Sequence, residues 1–167
     1  MASKASIKGH PIHPVLVTLP IGLWVFSLAS DIIYLAGGSP TWQDVALYTM
    51  GGGIVGALLA AIPGFVDLLS WSPSKVRTVG LWHMSLNLTA VVIFAANFLL
   101  RTAGGYGFAL PFILSIAGVL TISASGWLGG EMVFRYRAAF EPFGMPGARP
   151  GEEAPKREKE EVGAGKV

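Results

Sequence analysis

Cysteine is absent from the 167-residue chain, which excludes disulfides, thiolate clusters and thiol catalysis and leaves the redox compartment unmarked. Charge is scarce: Asp, Glu, Lys and Arg make up 13% of the residues, against about 25% in a soluble globule. The sequence pI of about 9.0 rests on a net charge of only +2. No basic stripe is available for a phosphate backbone, so a nucleic-acid binder is excluded. Hydrolytic motifs are missing too, with neither Gly-x-Ser-x-Gly nor the His-Glu-x-x-His helix of a zinc protease.

What fills the chain instead is apolar: 52% of the residues, at a mean hydropathy of +0.57. Four windows concentrate it, Val15 to Leu35, Ala46 to Leu69, Leu81 to Leu100 and Ala109 to Leu128, of 21, 24, 20 and 20 residues. Each can cross a hydrocarbon core, which takes about 20 apolar residues. The expected fold is an all-α membrane protein, a four-helix bundle running up-down-up-down. It comprises a lead-in at 1–14, a membrane domain at 15–137 and a tail at 138–167. The tail's GARPGEEAPKREKEEVGAGKV stretch has five acidic and five basic residues and no aromatic, too little apolar surface to offset ordering entropy. Residues 1–30 imitate a secretory signal, but the apolar run continues to Leu35 and Pro20 interrupts it, so a retained first span is expected.

If the spans alternate, Lys4, Lys8, Lys75, Arg77, Arg135 and Arg137 fall on one side and Arg101 alone on the other. This asymmetry predicts an inner-membrane protein with both termini cytoplasmic. Gly52, Gly56, Ala60 and Gly64 in span 2, and Ala117, Thr121, Ser125 and Gly129 in span 4, recur every four residues. Small residues so spaced let helices approach closely, or leave a slot for a flat cofactor. Pro20 and Pro63 each remove a backbone hydrogen bond and predict bends.

Ionisable groups at membrane depth are costly and face the bundle interior. At the cytoplasmic ends lie His10 and His13 before span 1, Asp67 closing span 2, His83 and Asn87 opening span 3, and Glu131 just past span 4. Pro14 at a first helical position would put His13 at the cap. His83 and Asn87 share one helical face with Ala90, Phe94 and Asn97. His13 and His83 are 70 positions apart, Asp67 and Glu131 64 apart. A parallel repeat of two hairpins, about an axis along the membrane normal, would gather all four around one cavity. Asp31, at the far end, is expected to pair with Arg101.

The chain resembles the bacterial four-helix membrane proteins classed as a domain of unknown function, the 2231 family. The resemblance is carried by His10-Pro11-Ile12-His13-Pro14, Pro20-Ile21-Gly22, Asp31, Gly64-x-x-Asp67, Arg77, His83-x-x-x-Asn87 and Gly129-Gly130-Glu131-Met132-Val133-Phe134, and covers about residues 9–137. Where relatives continue with a histidine and a glycine-valine stretch, this chain has Tyr136-Arg137-Ala138-Ala139. The resemblance implies a four-helix membrane domain, joined in some relatives to redox modules, and no settled activity.

Three functions suit the layer. His13, His83 and Asn87 would hold a b-type haem, or His10, His13, Asp67, His83 and Glu131 a divalent metal ion. The cluster would otherwise relay protons or ions, or serve only to cap helices and form interfacial ion pairs in an accessory protein. The first reading brings a membrane redox role and a redox partner protein. The bilayer and a homo-oligomer are the other partners expected.

Overall fold

The computed structural model describes residues 3–105, 107–136 and 138. Arg137 and the tail from 139 onward lie outside them. A two-stranded antiparallel ribbon, β1 (Ser6–Ile7) and β2 (His10–Pro11), leads into α1 (Ile12–Leu16), α2 (Thr18–Leu35), α3 (Thr41–Ser70), α4 (Lys75–Ala103) and α5 (Ala109–Phe134). Among the described residues four helical segments, α1–α2 at Ile12–Leu35 and then α3, α4 and α5, are long and apolar enough to cross a membrane.

The ribbon was not legible as apolar periodicity. Its turn residues Lys8 and Gly9 both have positive φ, 50° and 79°, the conformation of a tight two-residue hairpin. Ile12 N donates to the Ala5 carbonyl, so α1 starts at Ile12 behind Pro11. The expected start at Pro14 is thus two residues late, and His13 sits within the helix. Pro20 has no N–H for the Leu16 carbonyl, and α1 stops at Leu16 with α2 resuming at Thr18. Pro63 lies inside α3 without ending it.

The outer surface is apolar: Val55, Leu58, Ile62, Val92, Leu99, Ile113 and Leu120 are all exposed, as lipid-facing side chains are. The interior holds Trp24, Met50, Ala90, Phe94 and Ile122, together with Ser27, Ser30, Asp31, Asn97, Ser115 and Ser125. α2 packs along α3 and α4 along α5, giving two hairpins.

The hairpins are copies in their contacts. His13 Nδ1 meets the Ala60 carbonyl of α3, and His83 Nδ1 the Ser125 carbonyl of α5. Trp24 packs against Gly53, and Phe94 against Gly118. Ser27 Oγ donates to the Ala46 carbonyl, and Asn97 Nδ2 to that of Pro111. Each set is related by 70 positions on the first helix and 65 on the second. Glycine is required at the aromatic contacts: a Cβ would lie 2.4 Å from the Trp24 ring at Gly53 and 2.6 Å from the Phe94 ring at Gly118.

Equivalent residues also meet each other, so the pseudo-twofold axis runs between them. His13 faces His83 with centroids 6.1 Å apart, and Trp24 stacks on Phe94 at 4.2 Å. Asp31 binds Arg101. Along α4 these layers fall at residues 83, 94 and 101; at about 1.5 Å per residue the outer two are roughly 27 Å apart, near the thickness of a hydrocarbon core. One polar layer therefore lies toward each end of the bundle.

Candidate functional site: a histidine pair on the pseudo-twofold axis

His13 comes from α1 and His83 from α4, and their rings stand nearly perpendicular, at 87°. His13 Nδ1 lies 2.8 Å from the Ala60 carbonyl. A carbonyl only accepts, so Nδ1 donates, which in the neutral ring leaves the lone pair on Nε2. His83 Nδ1 lies 2.8 Å from the Ser125 carbonyl and 2.9 Å from Ser125 Oγ, while that hydroxyl donates to the His83 carbonyl at 3.1 Å. His83 has the same tautomer. Its Nε2 accepts from Asn87 Nδ2 at 3.0 Å, and Asn87 also donates to the His83 carbonyl one turn back.

Both imidazoles lie against glycines of the neighbouring helix. A Cβ at Gly64 would stand 2.7 Å from His13 Nδ1; at Gly129 it would stand 3.2 Å from His83 Cε1. At this end, the small-residue stripes thus seat imidazoles against helices. Gly64→Ala is expected to displace His13 and lower the thermal midpoint in detergent by several degrees, through overpacking of about 1–3 kcal/mol. Gly129→Ala should cost less, and equal midpoints for the two variants would contradict the difference in clearance.

The other expected members of the layer have different partners. Asp67, buried near the end of α3, accepts from Ser3 Oγ at 2.9 and 2.8 Å and from Ala5 N at 2.9 Å. It ties down the segment ahead of the ribbon. Glu131 bonds Arg135 one turn on, at 2.9 Å, and lines an outward groove of α5 with Gly126, Trp127, Gly130 and Phe134. His10 is exposed on β2, its Nδ1 donating to the Lys8 carbonyl. Asp67 and Glu131 are not related by the repeat: the 65-position offset of α5 from α3 pairs Asp67 with Met132. Among the described residues no three His, Asp or Glu side chains are grouped closely enough to hold a metal ion.

At the opposite face the expected ion pair is present and bidentate. Arg101 Nη1 and Nη2 reach Asp31 Oδ1 and Oδ2 at 2.8 and 2.7 Å. Ser115 Oγ donates to Asp31 Oδ2 at 2.9 Å, and Arg101 Nε to Asn97 Oδ1 at 3.0 Å. Asn97 Nδ2 in turn reaches Ser115 Oγ and the Pro111 carbonyl. Asn97 and Ser115 were missed as site residues. Asn97 carried a signal, since it extends the His83 face, while Ser115 is one of several serines in the spans.

A four-helix membrane bundle with one polar layer toward each end is the class these features define. The family model described as "Predicted membrane protein (DUF2231)" matches residues 9–142, and the chain belongs to that family. No curated protein and no solved structure matches the chain.

Proposed function

We propose that the protein is an inner-membrane redox protein that binds a b-type haem at the cytoplasmic face through His13 and His83. The observation carrying this reading is the pairing of two imidazoles across the axis, each with Nδ1 held by a backbone carbonyl. Metal-ligating histidines commonly have that second hydrogen bond, which fixes the tautomer and leaves Nε2 for the metal. The two ring centroids stand 6.1 Å apart, close enough for both imidazoles to serve one bound group.

The donor set suits haem better than a bare divalent ion. A closed ion site takes four or more protein ligands, and Asp67 and Glu131 are engaged elsewhere. Haem brings four ring nitrogens of its own and would take its remaining ligands from the chain, which offers the His13 and His83 imidazoles. Asn87 must release His83 Nε2 for ligation, and its amide is then free to bond the bound group. When bound, haem would supply one-electron transfer; the chain's residues hold the imidazoles, set their tautomers and shield them with apolar helices.

Absorbance and metal content of the detergent-purified protein test the proposal. A Soret band with one iron per site supports it, and protein that neither retains nor takes up haem overturns it. The orientation rests on the basic residues. Reporter fusions at Ser39 and after Gly104 should read periplasmic and one after Lys75 cytoplasmic; the inverse pattern would move the histidines to the outer face.

A further inference from the structure

The three layers on the axis differ in one respect. If each hairpin paired with a copy of itself, His13 would meet His13, and Trp24 would meet Trp24, as residues on a true twofold axis do. An imidazole facing an imidazole, or a ring facing a ring, tolerates that exchange. The third layer does not. Asp31 against its own copy would bury two carboxylates that repel each other where water cannot screen them, and Arg101 against its own copy would leave two guanidiniums to repel each other or to turn out toward the headgroups, with no carboxylate between them.

The hydrogen bonds around the pair are just as one-sided. Arg101, Asn97 and Ser115 all belong to the second hairpin, and Asp31 is the single group inserted by the first. At the positions the repeat assigns to Asn97 and Ser115, the first hairpin has Ser27 and Met50. Ser27 bonds the Ala46 carbonyl and Met50 belongs to the apolar core. One hairpin thus presents a carboxylate, and the other a cradle of guanidinium and hydroxyl donors.

We propose that the Asp31–Arg101 layer is a pairing lock: it selects the union of the first hairpin with the second and rejects pairing of either hairpin with its counterpart in a second copy of the chain. The remaining axis contacts supply packing that both arrangements share. A buried polar pair that sets which helices associate is an attested use of such groups.

Two full-length variants test the lock. Asp31→Leu with Arg101→Leu replaces it by apolar side chains, which membrane helices accommodate, and removes the penalty on like pairing. Two differently tagged versions of this chain, co-expressed, should co-purify several-fold more than two tagged wild-type chains; co-purification at the wild-type level would overturn the proposal, because the chain then needs no lock. The second variant exchanges the whole layer between hairpins, with Ser27→Asn, Asp31→Arg and Met50→Ser together with Asn97→Ser, Arg101→Asp and Ser115→Met. It should keep a monodisperse species, whereas either group of three substitutions alone gives both hairpins the same charge and should lose it. Exchange in full that is no better than exchange by half would overturn the lock's dependence on matched hairpins.

Discussion

Arg101→Ala is expected to be the most damaging single substitution in the bundle. It strips both guanidinium bonds from the Asp31 carboxylate, which is fully buried in the intact bundle, and leaves only the Ser115 hydroxyl donating to it. Removing one partner of a buried pair costs about 3–5 kcal/mol, because the remaining charge has neither water nor counterion. The converse change, Asp31→Ala, should cost less. Arg101 lies two residues before the end of α4, and its long side chain can turn toward the headgroups and carry the charge out of the bundle; the short Asp31 side chain has no such reach. Asp31→Asn should be milder again, since the amide oxygen still accepts. Thermal or denaturant unfolding in detergent would rank the three. A loss under about 1 kcal/mol for Arg101→Ala would mean that the carboxylate is hydrated in the folded protein, and that the pair is not the buried contact its geometry describes.

That pair was legible in the sequence because few charges enter the spans. Asp31 had Arg101 as the only cation on its side, and the hydropathy windows fixed both at the same end. The histidine layer was legible for a similar reason: His13 and His83 begin parallel spans, so equal depth followed from topology. The helices themselves outrun the apolar windows, α3 by several residues at Thr41–Val45 and α5 by the turn or more at Gly129–Phe134, because helical hydrogen bonding continues past the end of the hydrocarbon.

Asp67 and Glu131 show where such reasoning stops. Both stand at the depth that topology assigns, yet depth leaves rotation about the helix axis open, and near the membrane surface a carboxylate has local partners to choose from. Asp67 found the backbone and hydroxyl of Ser3–Ala5, a segment whose ribbon is set by the positive φ of Lys8 and Gly9 rather than by any apolar period. Glu131 found Arg135 at the four-residue spacing of helix ion pairs. The repeat constrains rotation better than depth does. A 70-position shift on one helix with a 65-position shift on the other superimposes the imidazole, aromatic and amide contacts together, whereas the 64-position separation of the carboxylates superimposes nothing else.

The same repeat sets what is expected of the histidines. With His10 exposed on the ribbon and bonded to Lys8, it cannot stand in for His13, and the two layer histidines are equivalent in their carbonyl anchors and glycine seats. If they hold haem as axial ligands, His83→Ala and His13→Ala should each reduce haem occupancy more than tenfold, with the Soret band and iron content falling together, while His10→Ala leaves both unchanged. Loss of a ligand is felt at that scale because even the groups that merely orient a ligand contribute about 10–100-fold to metal affinity. A folding defect has a different signature. Both alanine variants should remain monodisperse and membrane-inserted, since an alanine is a good helix former in an apolar span, and added free imidazole should restore the Soret band by occupying the vacated position. Haem retained at the wild-type level by His83→Ala would remove that residue from the coordination sphere, and the pair would then be two helix-packing side chains anchored to Ala60 and Ser125.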